Sequence, residues 1–186
     1  AVNPTHEQAR LGSAVHECLR PLPRAGQADW EGLPEIAERH EVSADDLRAL
    51  VGLGQKMWRG LAKIFPAART EVPMMVELDG SILTGTADII GRSLATAHVG
   101  DWKSGRLDVN HREQLLGYCA LALLSDPSLD EATAGVLWIR EQEYEHYSLR
   151  REDLPAYLRR LETEVIQWNG TYRPGAHCRH CPRSHE

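Results

Sequence analysis

The middle of the chain changes from helix-type to strand-type sequence at Pro66, and this change limits the possible folds more than any other feature. Three short runs rich in β-branched and apolar residues follow it, at 69–78, 82–90 and 94–101. Asp79-Gly80 separates the first two runs, and Gly91-Arg92-Ser93 separates the last two. Because such short glycine-containing links join neighbouring antiparallel strands, the sequence predicts a three-stranded meander.

Helix-type periodicity surrounds the predicted meander. Apolar residues at helical spacing predict helices at 5–19, 33–40, 44–65, 110–124 and 151–170, with a loop at 20–30 and further strands at 133–140 and 143–149. Ser43, followed by Asp45 and Asp46, is typical of an N-cap with acidic residues in the first turn. Strands followed by a crossover helix and another strand indicate an α/β fold with helices flanking a mixed central sheet.

The chain of 186 residues is long enough to bury a substantial core, and we expect it to form a single domain. Three parts make up this expected domain: a helical part at 1–66, the sheet with one helix at 67–150, and a closing helix with a Cys-rich tail at 151–186.

The formal net charge of −6 argues against a surface that binds nucleic acid through bulk positive charge. The net charge does not exclude local contacts with nucleic acid, because a bound divalent metal offsets the charge of carboxylates and arginine patches still contact phosphates. The sequence contains no apolar run long enough to cross a bilayer, and its first residues lack a signal-peptide pattern. We therefore expect a cytoplasmic protein that does not bind membranes, with four cysteines that are thiols or metal ligands.

Two acidic residues and a lysine lie in the second predicted strand and at the end of the third. Asp101 and Lys103 are two residues apart, so they point to the same side of a strand, with Trp102 on the other side. Asp88 lies in an apolar strand, where a carboxylate is costly unless it is paired, hydrogen-bonded or bound to a cation. Converging carboxylates suit Mg²⁺ or Mn²⁺. Taken singly, the residues also fit a strand-edge ion pair and a turn residue.

Four motifs, in chain order, carry a resemblance to a known family: Gly12-Ser13-Ala14-Val15-His16, Gly85-Thr86-Ala87-Asp88, Asp101-Trp102-Lys103 and Gln114-Leu115-Leu116-Gly117-Tyr118. The last three resemble the G-x-x-D, D-x-K and Q-x-x-x-Y motifs of the PD-(D/E)XK nuclease superfamily. The first resembles the G-x-x-x-H motif of its RecB-like branch, which includes AddB and the iron–sulfur nucleases of CRISPR adaptation. The predicted element order is similar to the restriction-endonuclease-like αβββαβ core of that superfamily.

The resemblance implies a role for each of these residues. It assigns metal binding to four of them: His16, Asp88, Asp101 and the carbonyl of Trp102. Lys103 would position the attacking water, so that Asp88, Asp101 and Lys103 form the catalytic set. Gln114 and Tyr118, four apart on one helix face, would contact DNA, although Tyr118 also fits core packing. Glu71 is a weaker candidate, because an exposed strand carboxylate is the simpler interpretation.

The C-terminal tail contains Cys178 and Cys181 in a C-x-x-C motif, a spacing that lets two thiolates bind one metal centre. Neighbouring histidines make zinc a candidate, whereas the resemblance implies a 4Fe–4S cluster in the intact protein. Two ligands of that cluster would lie outside the given sequence, and we expect the sequence to be trimmed at both ends. Cys18 and Cys119 are expected to be core thiols.

The resemblance implies a Mg²⁺- or Mn²⁺-dependent deoxyribonuclease, an exonuclease acting on DNA ends or single strands. Its setting would be DNA repair, recombination, CRISPR adaptation or phage DNA processing, with protein partners in such a complex. Two alternatives stay open. One is a catalytically silent nuclease-fold subunit that binds DNA or protein, and the other is a zinc-binding interaction protein built around the cysteine tail.

Overall fold

The computed structural model describes residues 4–78, 81–105 and 111–167. The helices are α1 (Pro4–Leu19), α2 (Leu22–Ala25), α3 (Leu33–Arg39), α4 (Ala44–Leu61), α5 (Arg112–Ser125) and α6 (Leu154–Gln167). The strands are β1 (Arg69–Leu78), β2 (Ser81–Ser93), β3 (Thr96–Lys103), β4 (Glu131–Trp138) and β5 (Glu143–Arg150). Single 3₁₀ turns at Ala62–Ile64 and Arg151–Asp153 follow α4 and β5.

The five strands form one mixed sheet in the order β1-β2-β3-β4-β5. β1 with β2, β2 with β3, and β4 with β5 are antiparallel, so the predicted meander is present. β3 and β4 are parallel, and α5 makes the crossover that a parallel pair requires. The predicted α/β class, with a mixed central sheet flanked by helices, is confirmed. The single-domain extent of 1–186 stays a prediction.

Helices cover the two faces of the sheet with separate clusters of buried side chains. The N-terminal core joins α1, α3 and α4 to one face, with Leu19, Leu47 and Trp58 packed near Trp102 and Leu137. The α5 core joins α5 and α6 to the other face, and its members include Leu115, Leu121, Leu123, Val99, Val136, Trp138, Leu154 and Tyr157. Both sides of the sheet are therefore dry at its centre, and a charge placed there must find a specific partner.

Ser43 caps α4 as predicted, because its hydroxyl accepts a hydrogen bond from the N–H of Asp46. The predicted loop at 20–30 contains the short helix α2, which the Pro-rich sequence did not indicate. No helix in the described part of the chain is both long enough and apolar enough to cross a membrane.

The turn predicted at Gly91-Arg92-Ser93 is wrong. β2 continues through these residues to Ser93, and the chain reverses at Leu94, which has a left-handed φ of 47°. Gly91 pairs with His98 inside the ladder. A Cβ atom on Gly91 would lie 2.6 Å from backbone atoms of Phe65, so this glycine permits the close approach of the chain leaving α4 and does not make a turn.

β2 changes faces at Asp88. Ala87 packs in the α5 core, whereas Ile89, which a regular strand would turn to the same side, packs in the N-terminal core. The β1–β2 register has pairs on both sides of this position but none at Asp88 itself, and Glu71 opposite it has a left-handed φ of 51°. Strand pairing is therefore interrupted at the position that carries the predicted acid.

The carboxylate of Asp88 replaces the missing strand partner. The β2–β3 register ends at the pair Ile89 and Gly100. Asp88 immediately precedes Ile89 on β2, and its Oδ2 accepts a hydrogen bond of 2.7 Å from the backbone N–H of Trp102. Because Trp102 is buried, this N–H needs an acceptor, and the carboxylate fixes the distance between the two strands where they separate.

We expect Asp88→Ala to lower the free energy of unfolding by about 1–3 kcal/mol, because it removes the acceptor of a buried N–H group. Asp88→Asn retains an oxygen acceptor at the same place, so its free energy of unfolding should fall much less. Both variants remove the negative charge, so the difference between them isolates the hydrogen bond. Urea unfolding followed by circular dichroism measures both values, and an equal loss in the two variants would contradict this role.

Candidate active site

The predicted catalytic and metal-binding residues meet where β2 and β3 separate, beside α1. Nδ1 of His16 lies 3.4 Å from Oδ1 of Asp88, and Nε2 of His16 lies 2.7 Å from the carbonyl oxygen of Trp102. Nζ of Lys103 lies 2.6 Å from Oδ2 of Asp101. Residues from α1, β2 and β3 therefore converge, although His16 is far from the others in sequence.

The alternation of β3 explains how one short segment serves both the core and the site. Trp102 packs in the N-terminal core, near Trp58 at a ring-centroid distance of 6.4 Å. Its neighbours Asp101 and Lys103 point to the opposite face. The backbone of Trp102 is held on both sides, by Asp88 at its N–H and by His16 at its carbonyl. The site is therefore built partly on the main chain of β3.

Asp101 is the one buried charged residue in the described ranges, with 5% of its surface exposed. Its Oδ2 forms an ion pair with Nζ of Lys103 at 2.6 Å. Burial raises the pKa of this carboxyl, Lys103 opposes that shift, and the nearby charge of Asp88 adds to it. A buried carboxylate is costly unless a cation is near, and Lys103 is the cation that lies against Asp101 in this structure.

His16 connects two acceptors across the site. Burial alone would lower its pKa, but the hydrogen bond and charge of Asp88 act against burial, together with the charge of Asp101 and the carbonyl of Trp102. The net result is a raised pKa. Its two ring nitrogens face Asp88 and Trp102, so a protonated imidazole satisfies both acceptors at once.

The donor atoms at this position fit a divalent metal in their chemistry. Carboxylate and backbone carbonyl oxygens are ligands for Mg²⁺ and Mn²⁺, and a neutral imidazole nitrogen binds Mn²⁺. Oδ2 of Asp101, which contacts the cationic Nζ of Lys103, is an oxygen that a metal cation could also use. Among the described residues, however, no three His, Cys, Asp or Glu side chains are already gathered closely enough to hold an ion. In this structure the donors contact His16 and Lys103 instead.

Gln114 and Tyr118 share one face of α5, next to β2. Tyr118 donates a hydrogen bond of 3.0 Å to the carbonyl of Thr86, and Nε2 of Gln114 lies 3.4 Å from the Tyr118 hydroxyl. A Cβ atom on Gly85 would lie 2.9 Å from the Tyr118 ring, so the glycine of the G-x-x-D motif makes room for this tyrosine. Tyr118 is half-buried, so the structure contains both core packing and a polar contact for it.

The negative charges of Asp101 and Asp88 affect the pKa of Tyr118. Burial raises the pKa of its hydroxyl, the hydrogen bond from Gln114 opposes this shift, and the negative charges of Asp101 and Asp88 add to it. Both carboxylates therefore lie near enough to Tyr118 to act on its hydroxyl.

An open cleft of about 450 Å³ leads to His16, Trp102 and Lys103. Glu71 also lines it, and Oε1 of Glu71 lies 3.9 Å from Nε of Arg20. The structure thus places this weaker candidate beside the site. A second cleft of about 480 Å³, lined by residues that include Arg69 and Arg92, contains none of the predicted site residues.

Sequence reasoning missed His111. Its Nδ1 lies 3.1 Å from Oε1 of Gln114, and its ring packs 5.4 Å from that of Trp138. The signal was available, because His111 precedes Gln114 by three residues, a spacing that brings side chains together on a helix.

The described cysteines behave as core thiols. Cys18 and Cys119 are free and buried, and burial raises the pKa of Cys18 to about 11 and that of Cys119 to about 12. Such thiols are poor nucleophiles and poor metal ligands. Cys178 and Cys181, the predicted cluster ligands, lie outside the described residues.

Comparison with solved structures finds similar folds at low sequence identity. A protein from Eubacterium rectale named as a putative exonuclease aligns with a TM-score of 0.50 and 11% identity, over 91% of this chain and 74% of its own. The protein SSO0001 aligns with a TM-score of 0.43 and 19% identity, over 91% of this chain and 80% of its own. A comparison with curated proteins gives no significant match.

Comparison with sequence families gives a match over almost the entire chain. The sequence model of the PD-(D/E)XK nuclease superfamily covers residues 2–185, a range that includes the interrupted strand, the buried aspartate and the lysine beside it. The five-stranded mixed sheet between helices agrees with the restriction-endonuclease-like fold. The chain therefore belongs to the PD-(D/E)XK nuclease superfamily.

Proposed function

We propose that the protein is a divalent-metal-dependent deoxyribonuclease of the RecB-like branch. The observation that carries the proposal is the buried carboxylate of Asp101, 5% exposed, whose Oδ2 lies 2.6 Å from Nζ of Lys103 in a site that also contains Asp88 and His16. Membership of a nuclease superfamily supports phosphodiester hydrolysis as the use of this arrangement.

Four groups would hold the metal: His16, Asp88, Asp101 and the carbonyl of Trp102. A divalent ion supplies Lewis-acid chemistry, since it polarises a phosphoryl oxygen and lowers the pKa of water. The contacts between His16, Asp88 and the Trp102 backbone keep three of these donors together before any ion binds. Such preorganisation lowers the cost of assembling the site.

The remaining residues act on the substrate. Lys103 is a cation on the same strand face as Asp101 and would orient the attacking water and stabilise negative charge that develops on the phosphate. Gln114 and Tyr118 would contact the DNA backbone next to the bond that is cut. A phosphate would enter along the cleft that reaches His16 and Lys103.

The choice of an exonuclease acting on DNA ends or single strands rests on the resemblance of the His16 and Gln114–Tyr118 motifs to the RecB-like branch. A role in DNA repair, recombination, CRISPR adaptation or phage DNA processing, with protein partners, follows from the same resemblance, and we also propose a cytoplasmic location. A silent nuclease-fold subunit is the alternative. The retention of Asp88, Asp101 and Lys103, all within one small site, favours the active enzyme.

We expect Lys103→Ala and Asp101→Ala each to lower the rate of DNA hydrolysis by at least about 100-fold, the size of effect seen when a charge-stabilising group is removed. End-labelled single- and double-stranded DNA with Mg²⁺ or Mn²⁺ provides the assay. Lys56→Ala is the matched control, because Lys56 is exposed on α4. Full activity in both site variants would refute the site assignment, and an inactive wild type would favour the silent subunit.

We expect Mn²⁺ to raise the thermal midpoint of the wild-type protein, because an ion that binds only the folded state stabilises it, by about 2.7 kcal/mol at 100 times the dissociation constant. Asp101→Asn should abolish this ion-dependent shift, whereas Asp45→Asn, in the exposed first turn of α4, should retain it. Calorimetric scans with Mn²⁺ and with EDTA measure the shift. An equal shift in all three proteins would mean that the ion binds elsewhere.

We also propose that Cys178 and Cys181 bind a 4Fe–4S cluster, following the resemblance to iron–sulfur members of the RecB-like branch. The full chain purified without oxygen should then contain iron and absorb visible light broadly. Cys178→Ser with Cys181→Ser should remove both signals, and Cys18→Ala, which changes a core thiol, should keep them. Zinc in a colourless protein would instead support the interaction-protein alternative.

A further inference from the structure

A row of hydrogen bonds runs along α5 and has a single possible direction. A backbone carbonyl can only accept, so the hydroxyl of Tyr118 donates its proton to the carbonyl of Thr86. The hydroxyl must then accept from its other neighbour, which is Nε2 of Gln114 at 3.4 Å. The amide nitrogen of Gln114 therefore faces Tyr118, and its oxygen faces the opposite way.

The amide oxygen of Gln114 faces Nδ1 of His111 at 3.1 Å. An oxygen acceptor at this distance requires a proton on Nδ1, because two acceptors would repel each other. The row therefore specifies which ring nitrogen of His111 carries the hydrogen, and His111 in turn specifies which way the amide of Gln114 points.

The His111 ring has a packing contact in addition to its hydrogen bond with Gln114. It packs on the side chain of Trp138, with ring centroids 5.4 Å apart, and Trp138 is 2% exposed. Trp138 is also the register partner of Lys103 across the parallel pair β3 and β4. Trp138, which packs against the His111 ring, is thus the strand neighbour of the proposed catalytic lysine.

We propose that His111 is a positioning residue that orients Gln114 for binding a phosphate of the DNA strand, an inference that rests on the proposed nuclease function. With Nδ1–H of His111 holding the amide oxygen, the Gln114 NH₂ group lies on the side of Tyr118. Its second N–H has no hydrogen-bond partner among the described residues and would donate to an anionic phosphate oxygen. A reversed amide would present its oxygen there and repel the phosphate.

The first test needs neither DNA nor metal. Nitrogen-15 spectra of the full chain, at a pH where His111 is neutral, should show the hydrogen on Nδ1, the less common form in free histidine. Loss of that form in Gln114→Ala would support the hydrogen bond to the amide. A hydrogen on Nε2 in the wild type would overturn the proposed row of hydrogen bonds.

The second test separates the donor from the packing. His111→Phe keeps a ring against Trp138 but has no N–H, whereas His111→Asn keeps an N–H near the position of Nδ1 and loses the ring. We expect His111→Phe to raise KM for DNA about fivefold, the factor associated with one neutral hydrogen bond, with a smaller change in kcat. His111→Asn should stay near the wild-type KM, and the reverse order would show that packing alone matters.

The third test is a double-mutant cycle with Gln114→Ala. Because His111 acts through Gln114, His111→Phe should cause no further rise in KM once Gln114 is absent. An additive rise would mean that His111 acts on its own and would overturn the proposal. If the wild type does not cut DNA, the proposed function fails, and the nitrogen spectra still decide whether His111 orients Gln114.

Discussion

The structure depends on the cost of placing the carboxylate of Asp101 inside a dry sheet. Helices cover both faces of that sheet, so water cannot solvate the charge. Lys103 contacts one oxygen of this carboxylate, and the charges of His16 and Asp88 act on the group from nearby. A fold that keeps such a group accepts a loss of stability at this point. The loss is understandable if the carboxylate is needed for chemistry, and it accounts for the concentration of the other charged residues around it.

The segment of β2 around Asp88, beside Asp101, is where the N-terminal core and the α5 core meet. β2 leaves the α5 core after Ala87 and joins the N-terminal core at Ile89, so the strand cannot remain regular between them. The interruption leaves the N–H group of Trp102 on β3 without a strand partner, and the carboxylate of Asp88 accepts its hydrogen bond. The irregular geometry that exposes the site is therefore a result of how the two layers of helices divide the sheet. The left-handed backbone of Glu71 on the neighbouring strand belongs to the same irregularity.

Much of this arrangement could be predicted from the sequence, because helical spacing and short apolar runs are local signals. The helices α3 and α4, the Ser43 cap and the strand order followed from them. The role of Gly91 inside β2 could not be predicted correctly, since the need for glycine there comes from Phe65, which is far away in sequence. The spacing of Asp101 and Lys103 implied a shared face, and the strand order implied that Asp88 lies nearby. The bridging position of His16 and the hydrogen bond of His111 depend on helix docking, which local patterns do not encode.

Trp102 shows how the site and the protein interior are linked. Both of its backbone groups contact site residues, while its indole ring packs near Trp58 of α4. The identity of the side chain at position 102 is thus free to follow the needs of packing, because the site uses only the peptide groups on either side of it. The position of those peptide groups is not free in the same way. Any change that shifts α4 against the sheet would move a carbonyl oxygen proposed to bind the ion, so substitutions deep in the hydrophobic interior can alter reactivity without touching a polar residue.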